Sequence, residues 1–117
     1  MIMLTLYGIP NCDTVKKARN WLDAQGIAFD FHDYKKAGVP EGALADWVDA
    51  LGWEVLLNRR GTTFRKLSED DKADIDAAKA LRLMIANPSM IKRPVVTTGE
   101  GKPLVGFDAN AWRARLG

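Results

Sequence analysis

The residues best able to do chemistry in this chain gather around its single cysteine, Cys12, in the run Tyr7-Gly8-Ile9-Pro10-Asn11-Cys12-Asp13-Thr14-Val15. An apolar stretch, Met3 to Tyr7, reads as a strand. Gly8 and Pro10 then force a turn, and the charged amphipathic stretch that follows reads as a helix. Cys12 falls where loop becomes helix, at the place where unpaired backbone N–H groups and the positive end of the helix dipole face outward. A thiol there is pushed toward thiolate, the form that acts as a nucleophile. A free cysteine is more often a small apolar filler, but the position favours the reactive reading. Asn11 and Thr14 can hydrogen-bond a thiolate or a bound anion, or they can cap the helix, which is the commoner use of such residues. Asp13 works against the thiolate.

Several elements must hold Cys12 in place. The first helix is expected from about Cys12 to Gln25, because Val15, Ala18, Trp21 and Leu22 fall three or four apart while Lys16, Lys17, Arg19 and Asp23 point elsewhere. Gly26 is its expected stop. Ile27 to Tyr34 alternates, with Ile27, Phe29 and Phe31 on one face, and reads as a second strand. Two strands joined by a helix make a right-handed βαβ unit with parallel strands.

After a loop at Lys35 to Val39, Pro40 suits the first turn of another helix. Leu44, Trp47, Val48 and Leu51 form its core stripe and Gly52 ends it. Trp53 to Leu57 reads as a short helix. The stretch Asn58-Arg59-Arg60-Gly61-Thr62-Thr63 is polar and basic, and Ser68 with Asp71 matches a capping box. Ala77, Ala78, Leu81, Met84 and Ile85 continue at helical spacing, with Asp74 or Asp76 marking a break and Asn87-Pro88 a stop. Pro94 to Thr97 and Pro103 to Val105 read as an antiparallel hairpin turning at Gly99-Glu100-Gly101. Asp108 caps a final helix carrying Trp112 and Leu116.

The 117 residues are read as one domain, 1–117, with a helical insertion at about 40–87. Seventeen basic against fifteen acidic residues leave a formal charge of +2, which advertises neither nucleic acid nor an anionic membrane. One cysteine makes no internal disulfide, and with one histidine, His32, a dedicated metal site would need carboxylates that show no ligand spacing. The opening residues lack the features of a signal peptide, and no run approaches a membrane span. The expectation is a cytoplasmic protein without a metal or tightly bound cofactor. His32, in a strand after Phe31, is expected to be structural, and the four tryptophans to be packing residues and not a base-stacking platform.

The order β-α-β, helices, β-β-α is also that of a thioredoxin-like domain: α/β, with a four-stranded mixed sheet flanked by helices. The cysteine opening the first helix and the X-Pro opening the third strand stand at that fold's two signature places. In detail, Y-x-x-P-x-C (Tyr7 to Cys12), L-L-N-R-R-G-T-T-F-R-K-L (Leu56 to Leu67) and N-P-x-M-I-K-R-P-V-V (Asn87 to Val96) resemble the arsenate reductase-like family. Its members work with glutathione and glutaredoxin, and it includes the Spx-type transcription regulators. G-I-x-N-C-D-T-x-K-K-A (Gly8 to Ala18) and the R-G-T-T stretch look most like the YffB branch, described as glutathione-dependent thiol reductases.

The resemblance makes Cys12 the nucleophile, Arg93 an arginine that contacts the oxyanion in the reductases, and Pro94 the proline whose preceding bond is cis. It also exposes departures. Arsenate reductases carry a histidine where this chain has Gly8 and a mid-chain arginine where it has Asn58, although Arg59 and Arg60 adjoin. Their third arginine falls near Gly106, with nothing basic beside it. Spx-type regulators carry a second cysteine where this chain has Val15.

A nucleophile without a resolving cysteine is limited to monothiol exchange finished by an external thiol. The expected co-substrate is glutathione, whose carboxylates call for Arg93, Arg59, Arg60 and the helix N-terminus, with Asn11, Thr14 and Pro94 completing the site. For Arg59, Arg60 and Arg65 a solvated surface role weighs about equally. A glutaredoxin or a protein disulfide is an expected partner. The rivals are an Spx-like module that docks on a protein such as RNA polymerase without catalysis, and a weak arsenate reductase.

Overall fold

The computed structural model describes residues 4–99 and 101–116. Met3 of the expected first strand and Glu100 of the expected turn lie outside the described residues. In chain order the elements are β1 (Thr5–Gly8), α1 (Asp13–Ala24), β2 (Asp30–Asp33), α2 (Tyr34–Ala37), α3 (Glu41–Leu51), α4 (Trp53–Leu56), α5 (Thr62–Arg65), α6 (Glu69–Lys72) and α7 (Ala77–Ala86). A 3-10 turn at Pro88–Met90, β3 (Val95–Thr97), β4 (Leu104–Val105) and α8 (Ala109–Leu116) complete the chain. The elements fall into two compact units, one formed by the residues up to Ala37 together with those from Arg93 onward, the other by Gly38–Lys92.

The first unit holds a four-stranded mixed sheet in the order β2-β1-β3-β4. β1 runs parallel to β2 and antiparallel to β3, and β3 is antiparallel to β4. Leu4 and Leu6 alternate inward from the first strand and meet Val15, Ala18 and Leu22 of α1, Val96 of β3 and Trp112 of α8. These residues lie three or four apart on α1, so one helical stripe covers one sheet face. Trp112 is buried, packs edge-on against Trp21 (6.0 Å, 84°) and Phe107 (4.9 Å, 88°), and donates its indole N–H to the Gly106 carbonyl at 3.2 Å. Asp108 Oδ1 accepts from the Asn110 and Ala111 N–H groups and so starts α8 as expected.

The βαβ unit departs from expectation at its second strand. Pairing begins at Asp30 and ends at Asp33, not over Ile27 to Tyr34. At the start, the Ile27 N–H goes back to the Leu22 carbonyl and the Gly26 N–H to Asp23, with Gly26 at φ +70. That closes α1 and removes Ile27 from the ladder. Ile27, Phe29 and Phe31 still pack half-buried against the core. At the other end Asp33 Oδ1 accepts from the Lys35 N–H at 2.8 Å, which turns Tyr34 into the first residue of a one-turn helix.

In the second unit α3, α4, α7 and the 3-10 turn bury Leu44, Trp47, Val48, Leu56, Leu57, Ala80, Met84, Met90 and Ile91. Pro40 caps α3 and is not in its first turn: its ψ of 99° is extended, and its carbonyl accepts from Leu44 N–H. Ser68 Oγ accepts from Asp71 N–H and Asp76 Oδ1 from Lys79 N–H, so two hydroxyl or carboxylate caps start α6 and α7. Asp74, at φ +51, marks the break between them. Ala77 and Ala78, in the first turn of α7, are exposed, and its buried stripe is Ala80 with Met84.

Candidate active site

Strand directions bring three loops to one edge of the sheet. β1 and β2 are parallel, with Gly8 opposite Asp33, so the loop to Cys12 and the start of α2 leave from the same side. β3 runs the other way, with Tyr7 opposite Val95, so the residues entering it, Arg93 and Pro94, lie there too. Cys12, Tyr34, Arg93 and Pro94 are thereby gathered from distant parts of the sequence.

Cys12 is the N-cap of α1, half-buried and extended at φ −94 and ψ 125. Its carbonyl accepts the first helical bond, from Lys16 N–H at 2.9 Å. Burial pushes the thiol pKa up. The Val15 N–H, the Arg93 guanidinium (which both hydrogen-bonds to the sulfur and adds its charge) and the Thr14 N–H outweigh it, and the thiol stands below its ordinary value. No side-chain hydrogen bond caps the helix; the N–H groups at its start act on the sulfur by favouring its charged form. The arrangement favours a nucleophilic sulfur with a cation beside it.

Arg93 is partly buried, and the Arg93–Pro94 bond is cis as expected. Pro94 is buried, and its carbonyl accepts from the Gly106 N–H at 2.9 Å. Gly106 sits at φ +76, a left-handed backbone that a side-chain-bearing residue adopts only under strain.

The other expected residues are placed differently. Asn11 and Thr14 are exposed, and neither side chain caps α1. Thr14 reaches the thiol through its backbone N–H. Arg59 and Arg60 belong to the helical unit, where with Glu54, Leu57, Asn58 and Lys92 they line a cavity of about 380 Å³. Arg59 stands over the Trp53 ring at 5.5 Å, and Asn58 Oδ1 orders the loop by accepting from the Arg60 N–H. Lys92 is held there because its N–H donates to the Leu56 carbonyl while Asn58 N–H donates to Met90, beside the Leu57–Ile91 bridge. Among the described residues no group of three or more His, Cys, Asp or Glu side chains is placed to hold a metal ion. No helix among them is long and apolar enough to cross a membrane.

Sequence reasoning missed Tyr34. It is buried, its ring lies 6.4 Å from Tyr7 and 5.8 Å from His32, and Tyr7 and His32 are 5.1 Å apart. His32 is thus a packed ring of this cluster. Burial first, and then Tyr7, push the Tyr34 hydroxyl well above the usual phenol range, while Arg93 pulls the other way. The signal that could have found it is Asp33, a helix-capping residue directly before it.

Comparison with known proteins agrees with this architecture. A solved YffB protein superposes with a TM-score of 0.94 at 55% identity, covering 98% of this chain and all of that one. An arsenate reductase (ArsC) related protein from Brucella melitensis is 53% identical with a TM-score of 0.76, covering 96% of this chain and 92% of its own. The global transcriptional regulator Spx of Streptococcus mutans is 27% identical over 97% of this chain and 83% of its own length. The fold is thioredoxin-like, and the ArsC family model matches residues 7–115; with its cysteine-bearing loop and X-Pro strand in place, the chain belongs to the ArsC family.

Proposed function

We propose that the protein is a cytoplasmic thiol–disulfide oxidoreductase in which Cys12 carries out monothiol exchange with glutathione. The arrangement that supports this most is a lone cysteine at the start of α1 whose thiol pKa is held below its ordinary value by Arg93 and the N–H groups of Val15 and Thr14. The Cys12 thiolate attacks the glutathionyl sulfur of a mixed disulfide. A Cys12–glutathione disulfide forms, and the substrate thiolate departs and takes a proton from water. A second glutathione thiolate then attacks the glutathionyl sulfur of the adduct, giving glutathione disulfide and restoring the Cys12 thiolate. Each step exchanges one S–S bond for another, and no resolving cysteine is needed.

Arg93 holds the thiolate and one carboxylate of glutathione. Asn11 and Thr14 offer polar contacts at the loop, and within their own unit Arg59 and Arg60, with Lys92, offer cations for carboxylates. A glutaredoxin or a protein disulfide is the proposed macromolecular partner. Arsenate is a poorer substrate in this reading, because displacing oxygen from a small oxyanion needs several fixed cations converging on one point. Of the family's arginines, one falls at Asn58 and another near Gly106, with nothing basic beside it. A two-cysteine switch of the Spx type is disfavoured by Val15, whose side chain is fully buried.

The test uses the mixed disulfide of mercaptoethanol and glutathione, with excess glutathione and glutathione reductase to follow turnover. Arsenate with added glutaredoxin is run in parallel. Exchange lost in Cys12→Ser, with weak arsenate turnover, is the expected outcome. Robust arsenate reduction overturns the assignment, as does an inert Cys12 in a protein that captures RNA polymerase.

A further inference from the structure

Tyr34 is 3% exposed, and its hydroxyl has no hydrogen-bond partner among the described residues. A buried polar atom left unpaired is costly, and phenylalanine would fill the same space without that cost. The hydroxyl therefore asks for a use outside the resting arrangement.

Its place supplies one. Asp33 pairs with Gly8 at the end of the sheet, and Tyr34 follows at the edge from which the Cys12 loop leaves and at which Arg93 enters. Its ring is held between Tyr7, nearly stacked at 26°, and His32, at 65°. The Arg93 guanidinium hydrogen-bonds to the Cys12 sulfur and also acts electrostatically on the Tyr34 hydroxyl. Arg93 thus acts on two groups of different character: a sulfur that is anionic only until it reacts, and a neutral oxygen. Because burial keeps the phenol protonated, Tyr34 never competes for Arg93 as an anion while the thiolate is present.

We propose that Tyr34 is a positioning residue for Arg93: once the Cys12 sulfur is bound in a disulfide and has lost its charge, the Tyr34 hydroxyl oxygen accepts the guanidinium N–H that the thiolate has released. This role rests on Cys12 being an exchanging thiol. It keeps the cation beside the sulfur through the half of the cycle in which the thiolate must be regenerated.

The test needs neither glutathione nor turnover. In methyl methanethiosulfonate the Cys12 thiolate attacks the methylthio sulfur, forming Cys12–S–S–CH3 and expelling methanesulfinate, so the charge is removed by a small neutral adduct. Melting temperatures are measured for the wild type and Tyr34→Phe, each reduced and blocked, with blocking verified by mass. In the reduced form Phe should raise the melting temperature by a few degrees, since it deletes an orphaned hydroxyl. In the blocked form it should lower it, since it deletes an acceptor in use. In an Arg93→Met background the reversal should vanish and Phe should raise the melting temperature in both forms. A shift of the same sign in both states with Arg93 present overturns the role, as does a reversal that survives without Arg93. Loss of glutathione exchange with the reversal intact would refute only the choice of glutathione. A Cys12 that does not label would refute both.

Discussion

A Cβ placed on Gly8 would stand 2.8 Å from Val15 Cγ2, so the end of β1 and the first turn of α1 close on each other where only a hydrogen fits. These are two of the positions at which the chain departs from the family pattern it resembles, a histidine at the first in arsenate reductases and a cysteine at the second in Spx-type regulators. Sterically the departures are linked. A side chain on residue 8 needs a smaller residue at 15 than valine, whose two methyl groups fill that space.

Gly8→Ala should therefore destabilise the protein by about 1–3 kcal/mol in urea unfolding, as overpacking does. Val15→Ala should destabilise it through the cavity it leaves. Combined, the two should cost clearly less than their sum, because each relieves the other. Additive costs would show that Val15 moves aside freely.

The rate of Cys12 alkylation against pH should give a midpoint below the ordinary free-thiol value of about 8.5, since the folded protein favours the thiolate. Arg93→Ala should move the midpoint up. The sign carries into stability. A group whose folded pKa is depressed contributes stability that is present above its unfolded value and lost as pH falls through its folded one. Relative to Cys12→Ser, the wild type should therefore lose stability as pH falls from above the free-thiol value through the folded one. No difference across that window would contradict the thiolate assignment.

Replacing both Arg59 and Arg60 with alanine should raise the half-saturating glutathione concentration a few-fold. Exposed pairs of this kind contribute about 0.2–1 kcal/mol each. The gap between variant and wild type should narrow with added salt, as expected of solvent-exposed charges. A salt-independent loss of more than tenfold would point to a buried carboxylate contact instead.

Trp112→Ala should cost about 3–5 kcal/mol, because the ring is buried between Trp21 and Phe107 and its N–H holds the Gly106 carbonyl. The change is readable as a lower urea midpoint. A cost near zero would mean that α8 contributes little to the first unit's core.

Periodicity made most of the frame legible. The stripe of Val15, Ala18 and Leu22, the stop at Gly26, the cap at Asp108 and the paired β3 and β4 all follow from local spacing and turn chemistry, and the structure has them. The second strand was overextended because alternation reports which face a side chain takes, not whether its N–H is free for a ladder. The Ile27 N–H was already used in closing α1. Tyr34 was missed for a related reason. An apolar ring at the end of an alternating run looks like strand, and only the Asp33 carboxylate reveals that a helical turn begins there.

At the site, Cys12 and Arg93 were legible, one from its place at a helix start and the other from the family pattern. The donors that stabilise the sulfur were not, because Val15 and Thr14 contribute backbone N–H groups that any residue would offer. Asn11 and Thr14 drew attention through side chains that the fold leaves exposed.

Cys12 stands at the head of α1, no side-chain hydrogen bond caps that helix, and the N–H groups of Thr14 and Val15 favour its thiolate. In the proposed exchange, the charge that reacts is thus also one that the start of a helix favours. If the sulfur is spent in a disulfide, the first turn of α1 loses a favourable negative charge and should fray. Amide hydrogen exchange at Thr14 and Val15 should then quicken in the adduct and slow again on reduction, making the start of this helix a built-in gauge of the oxidation state of Cys12.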